Sequence, residues 1–197
     1  MKYILKPAIT LFITAVITVG ALSAVYNFTL EPVEMQKRRT QEAAMREVLP
    51  EASEYREKLV RKTGSISAVY EGIYNNTLAG YVVMLSPEGY SGKIDLLAGI
   101  SVRTDRITGM RVIRHSETPG LGALAVRENF FRQFDNRKLV PLGVTRSSPG
   151  EHDIQAITSS TITTKAITNA VNEAIEWYLS IRGQIEDSRF YEWRETE

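Results

Sequence analysis

Cysteine is missing from the 197-residue sequence, and with it go disulfides, thiolate nucleophiles, Cys-ligated zinc and iron–sulfur clusters. Histidine is almost missing: His115 and His152 are the whole supply, too few for a multi-histidine metal site. Redox chemistry in this chain therefore needs an organic cofactor. Neither sign of charge predominates, with 24 basic against 23 acidic side chains, so nothing marks nucleic acid as a partner. Two phosphate-binding signatures are absent as well. There is no GxxxxGK loop of nucleotide-hydrolysing enzymes and no GxGxxG dinucleotide fingerprint.

What is present is uneven. Residues 7–30, PAITLFITAVITVGALSAVYNFTL, carry no charge. As an α-helix this stretch extends about 36 Å, enough for a hydrocarbon core of about 30 Å. Lys2 and Lys6 precede it and Glu31 and Glu34 follow, a bias that leaves the N-terminus cytoplasmic and the remainder outside. Lys37, Arg38 and Arg39 on the far side oppose that bias. The alternative is a secretory signal cleaved near Ala21-Leu22-Ser23, but the length of the apolar run favours an uncleaved anchor. Either way the remainder is exported. The expectation is a single-pass protein of the cell (inner) membrane with its main domain extracytoplasmic.

Residues 31–62 are charged and rich in helix formers, with Ala43, Ala44, Val48 and Leu49 as a thin apolar stripe and Pro50 as a stop. We read 1–30 as cytoplasmic terminus and transmembrane anchor, and 31–62 as a juxtamembrane helical linker whose basic residues can meet lipid headgroups. From Ile66 the period changes. ISAVYEGIY and GYVVMLS are extended runs separated by the turn pair Asn75-Asn76, and KIDLLAGISV and ITGMRVIRH follow around RTDR. Four strands on short connections predict an antiparallel meander. LAVRENFFRQF reads as a helix, KLVPLGVT as a short strand interrupted by Pro141, and IQAI as a buried strand. In the last helix Ala166, Ala170, Ala174 and Tyr178 recur every four residues, and so do Ile167, Val171, Ile175 and Leu179. Two adjacent apolar stripes require a sheet to pack on. The expected fold is α+β, a mostly antiparallel sheet with packed helices over residues 63–182, behind one transmembrane helix and before a polar tail at 183–197.

Two stretches invite chemistry. The junction QAITSSTITTKAIT brings Thr158, Ser159, Ser160, Thr161, Thr163 and Thr164 to the start of the last helix. Capping accounts for one such residue, because its oxygen accepts a free N–H of the first turn. β-Branched Thr otherwise costs a little in a helix. The same free N–H groups and partial positive charge favour phosphate, and Lys165 can add a point charge. A hydroxyl here can bind a phosphate or be esterified by one. The second stretch is HSETPGLGA, residues 115–123. Pro119 holds Thr118 extended and two glycines permit close approach of a ligand; the plainer alternative is a strand-to-helix connection. His115, ending a strand, reads as structural.

Taken together, ETPGLG (Glu117–Gly122) and TSSTITT (Thr158–Thr164) closely resemble two motifs of the FMN-binding subunits of Rnf/Nqr-type respiratory complexes. The first is like that family's flavin loop. The second is like its flavinylation motif, Asp-x-x-(Ser/Thr)-Gly-Ala-(Thr/Ser) followed by x-(Ser/Thr). Anchor, strands, glycine loop and Thr motif come in the family's order over nearly the whole chain. The length is closer to the G subunit of the Rnf ion-translocating electron transport complex than to the longer C subunit of the sodium-pumping NADH:quinone reductase. The resemblance implies a membrane-anchored electron-transfer flavoprotein subunit, relaying electrons within an ion-translocating ferredoxin:NAD oxidoreductase and not an enzyme on its own. It implies covalent FMN, moved from FAD by a separate flavin transferase onto Thr161 as a phosphoester, with Thr158 at the first hydroxyl of the motif. Glu117, Thr118, Gly120, Leu121 and Gly122 would line the isoalloxazine or ribityl chain, and Ser159, Ser160 and Lys165 would complete the site. No metal and no residue catalytic in its own right is implied. The implied partners are the membrane and iron–sulfur subunits of the complex, the transferase and membrane lipid. Gln155 stands where the motif has Asp, and Ser159 and Ser160 replace its Gly and Ala. Those departures define an alternative, a tethered scaffold module of such a complex without covalent flavin. A stand-alone exported FMN reductase is the other alternative.

Overall fold

A computed structural model describes residues 2–61, 63–120 and 122–194. They fall into two units, Met1–Glu42 and Ala43–Glu197. From Lys2 on, the first unit is helical, part of helix α1 (Lys2–Val48). Its apolar side chains are open: Leu11, Phe12, Ile17 and Leu22 are each more than 60% exposed. Four of its threonine hydroxyls are satisfied without water, since Thr10, Thr14, Thr18 and Thr29 donate to the carbonyls four residues back. With a mean hydropathy of 2.2 over its most apolar stretch, the helix is long and apolar enough to cross a membrane. Pro32 removes one N–H rung but does not end it.

In the second unit α1 stops at Val48, ahead of Pro50, whose ring disfavours helical backbone at Leu49. Beyond that point the helical linker expected through residue 62 is corrected: Glu54–Lys58 is strand β1. EYREK has no apolar alternation to announce a strand. It is recruited by backbone pairing with β2 and by the Lys58–Glu71 ion pair at 2.6 Å, and its charges suit a sheet edge.

Six strands run antiparallel in chain order: β1, β2 (Ile66–Tyr74), β3 (Thr77–Leu85), β4 (Ile94–Ser101), β5 (Arg106–His115) and β6 (Arg137–Lys138). The expected meander is β2–β5. Asn75 and Asn76, at φ 47° and 61°, supply the left-handed pair that a two-residue hairpin needs. β4 is buried at all its positions because both faces are covered. Leu96, Ala98 and Ile100 face a core completed by Ile167, Val171, Ala174 and Ile175 of the last helix, α3 (Thr161–Arg194). Leu97 points the other way, to a smaller cluster with Val82 of β3 and Met45, Val48 and Leu49 of the α1 terminus.

That second face is shaped by glycine. Gly72 pairs with Gly80 across β2 and β3, and Gly99 with Gly109 across β4 and β5. A Cβ at Gly80 would stand 2.9 Å from Leu49 Cδ1, and one at Gly99 would overlap the Val48 carbonyl. The two pairs, offset from one another by two residues between β3 and β4, leave a trough that admits the helix end. Its orphan carbonyls are then capped: the Thr108 hydroxyl donates to Val48, and the Tyr55 hydroxyl reaches Met45 and Leu49 at 3.2 and 2.9 Å.

Three details differ from expectation. LAVRENFFRQF is not one helix but a 3-10 turn (Gly122–Val126), α2 (Glu128–Phe131) and a second 3-10 turn (Arg132–Phe134), parted at Arg127 by extended backbone. Ala125, Phe130 and Phe134 are all buried; in one continuous helix the first two would point about 140° apart, so the break is what buries both. Leu179 is 42% exposed, and the packing passes instead to Tyr178 and Ile181. α3 also continues to Arg194, through the segment expected as a tail. Strands β7 (Gly143–Thr145) and β8 (Asp153–Gln155) form a separate parallel pair. Asn172 of α3 secures it by accepting from the Leu142 N–H and donating to the Leu142 carbonyl, at 2.9 and 3.0 Å.

Candidate functional site

The hydroxyl run folds as a 3-10 turn, Thr158–Ser160, leading directly into α3 at Thr161. Ile157 is extended, and its carbonyl accepts the Ser160 N–H at 2.8 Å. Helical geometry then sorts the hydroxyls. Thr158 and Ser159 are exposed and Thr161 is half-buried. Ser160 is 3% exposed, while Thr163 and Thr164 are fully buried. The Thr163 hydroxyl donates to Glu117 at 3.0 Å. The Thr164 hydroxyl has no hydrogen-bond partner among the described residues.

The glycine loop lies against this junction, its 3-10 turn packing on the turn Thr158–Ser160. Between them and the Tyr90 loop is a depression of about 340 Å³, lined by Tyr90, Gly122 and Thr158, Ser159, Ser160, Thr161, Ile162 and Thr163. None of these side chains is charged. The positive character of the site therefore comes from the first-turn N–H groups of α3. Tyr90 and Ile162 are 65% and 58% exposed, two apolar surfaces beside a row of hydroxyls. Such a wall suits an amphipathic ligand with an aromatic body and an anionic end.

Of the residues expected here, Gly122, Thr158, Ser159, Ser160 and Thr161 line the depression. Glu117 is 4% exposed and lies behind the wall, bonded to Thr163 and to the Ser91 N–H. Thr118 is exposed, its hydroxyl 3.1 Å from that of Ser91. Gly120 takes a left-handed φ of 80°, the turn conformation for which glycine is suited. Leu121 lies outside the described residues. Lys165 is exposed one turn along α3 and is not part of the lining. Thr163, one of the junction hydroxyls, also lines the depression, and two lining residues were not expected there, Ile162 and Tyr90. Ile162 sat inside the motif as its variable position. Tyr90 belongs to SPEGYSG, which reads as an ordinary Gly/Pro loop, and only the fold brings it opposite Thr161.

A family model described as FMN-binding domain matches residues 89–176, an interval that holds the whole depression. A second, described as RnfG N-terminal region, matches residues 1–48. The G subunit of the Na(+)-translocating ferredoxin:NAD(+) oxidoreductase complex of Acetobacterium woodii is 34% identical over 197 residues, covering 91% of this chain and 94% of that protein. The G subunit of the proton-translocating ferredoxin:NAD(+) oxidoreductase complex of Clostridium ljungdahlii is also 34% identical, over 89% of each chain. Among solved structures, Shewanella oneidensis NqrC matches the fold with a TM-score of 0.51 at 19% identity, over 61% of each chain. The mostly antiparallel α+β architecture is thus that of a known fold.

Proposed function

Because the chain belongs to the family of G subunits of ion-translocating ferredoxin:NAD oxidoreductase complexes, we propose that it carries FMN covalently on Thr161 and relays electrons between neighbouring subunits. The observation that carries this is the exposure pattern of the hydroxyl run. Burial withdraws Ser160, Thr163 and Thr164 from any modifying enzyme, leaving Thr158, Ser159 and Thr161. All three line the depression, and of them Thr161 is the one that opens α3, beside the free N–H groups of its first turn. In attachment, the Thr161 hydroxyl oxygen forms one P–O ester bond as the pyrophosphate bond of FAD breaks. AMP leaves with the second phosphate, and the hydroxyl proton is released. One negative charge stays on the ester, where the N–H groups of the first turn stabilise it.

When bound, FMN supplies reversible one- and two-electron transfer. The residues of the chain position it. Tyr90 and Ile162 are the exposed apolar side chains available to its ring system, and Gly122 keeps the opposite wall free of a side chain. A covalent bond also retains the flavin without a dinucleotide fold. The motif departures are compatible with attachment. Ser159 has no left-handed φ, so glycine is not required there, and Gln155 is exposed with its backbone bonded to Gln133. The apolar helix fits a single-pass membrane protein; Lys2 and Lys6 favour a cytoplasmic N-terminus, which puts the flavin domain outside. The partners are then the membrane and iron–sulfur subunits of the complex, with a flavin transferase acting during maturation. Co-expression with such a transferase tests the attachment on a denaturing gel. A fluorescent band for the wild type and none for Thr161→Ala is expected; a dark wild type or a fluorescent variant would sink it.

A further inference from the structure

Glu117 begins the glycine loop, yet only 4% of it is exposed. Both carboxylate oxygens are engaged: one accepts the Ser91 N–H at 3.1 Å and the other the Thr163 hydroxyl at 3.0 Å. Ser91 follows Tyr90, Thr163 lies two residues beyond Thr161, and Glu117 itself leads to Gly122. One side chain thus ties together the three segments that line the depression. The backbone is shaped around it. A Cβ at Gly122 would overlap the carboxylate and stand 2.5 Å from its carbon, and a Cβ at Gly89 would overlap its other oxygen. Neither glycine has a left-handed φ, so space and not conformational freedom dictates them. No ion pair to Glu117 occurs among the described residues. A buried carboxylate without a cation depends on its hydrogen-bond donors, and these two hold it in one place.

We propose that Glu117 is a positioning residue that acts through Thr163 and Ser91, fixing the first turn of α3 and the Tyr90 loop so that Thr161 is presented to its flavin donor. It does this by geometry, from behind the wall, and does not touch the flavin; the consequence for loading rests on Thr161 being the acceptor. Glutamine satisfies the same geometry. Its amide oxygen can accept from Ser91 while its NH2 donates to the Thr163 hydroxyl, which accepts as readily as it donates. Alanine satisfies neither partner.

The full-length protein and its E117Q, E117A, T163V and T163S variants test this with two readouts. One is amide hydrogen exchange of the flavin-free protein; the other is covalent loading on co-expression with a flavin transferase. In E117A the Ser91 amide should exchange at least about tenfold faster while the core amides of β3 and β4 keep their rates. Loading should fall about tenfold in E117A and T163V, and E117Q and T163S should keep the wild-type level. E117Q losing loading as fully as E117A would overturn the inference, because charge would then be what acts. So would wild-type loading in T163V, or an unchanged Ser91 rate in E117A. If E117A does not fold, E117Q and T163V decide by the same criteria. A wild type without covalent flavin sinks the Thr161 assignment instead, and Ser91 exchange in E117A and E117Q then upholds or overturns the latch by itself.

Discussion

Replacing Gly99 by alanine drives a methyl group into the end of α1. The new Cβ would overlap the Val48 carbonyl oxygen, stand 2.7 Å from the Val48 carbonyl carbon and 2.5 Å from the Thr108 hydroxyl. Ordinary contacts begin near 3.4 Å, so the helix end or the sheet must give by close to an ångström. The clash is with backbone, which no rotamer can relieve. Gly99 has no left-handed φ, and alanine adds no torsional strain there. The cost is therefore overpacking, about 1–3 kcal/mol, plus about 1 kcal/mol for the Thr108–Val48 hydrogen bond it displaces. The total is about 2–4 kcal/mol, or a fall in Tm of roughly 5–15 °C for a unit of this size. Urea unfolding followed by the fluorescence of Trp177, whose ring lies 5.3 Å from that of Tyr81, reads the loss. Adding Thr108→Ala should not rescue it, since the Val48 overlap remains. A Gly99→Ala protein within about 0.5 kcal/mol of wild type would refute the trough as the seat of the helix.

The two glycines of the site loop should fail for different reasons. Gly122→Ala displaces Glu117 from both of its donors, costing about 1–3 kcal/mol for each buried group left unsatisfied. Gly120→Ala meets open space and suffers only from its φ of 80°, about 1–2 kcal/mol; comparing the two urea midpoints checks the order. At alkaline pH the fold should weaken through one ion-paired contact. Burial raises the Tyr81 phenol above its ordinary 10.0, and the hydrogen bond to Glu71 raises Lys58 above 10.5. Both folded values lie above the unfolded ones, so their contributions are complete below about pH 10 and vanish as pH climbs through the raised values. Stability of the wild type should fall between about pH 10 and 12, and Tyr81→Phe should show a shallower slope. Asp95, 8% exposed, accepts two bonds from Arg114 and one from Ser86. Arg114→Met should destabilise by about 1–3 kcal/mol, read by the same unfolding curves.

The parts of the fold that local chemistry dictates were legible in the chain. Asn75-Asn76 announces its hairpin, and the four-residue spacing from Ala166 to Tyr178 announces a helix packed on a sheet. Strand β1 was not legible, because EYREK becomes a strand only by pairing with β2. The glycine trough was equally hidden: Gly72 and Gly80, and Gly99 and Gly109, are separated in sequence and paired only by register. At the site, the hydroxyl run and the glycine loop stood out by composition. Which hydroxyls face solvent depends on the helical phase of α3, and the partnership of Glu117 with Thr163 joins residues 46 apart. Tyr90 carried no local signal at all. Long-range placement, not residue type, separates what could be read from what could not.

The central claim is the ester at Thr161, and intact mass of protein purified from its native membrane tests it most directly. A single added mass equal to FMN less one water, located on the peptide that contains Thr161 and absent from Thr161→Ala, is the predicted result. An unmodified mass in the native protein, or the same adduct persisting in the alanine variant, would contradict it.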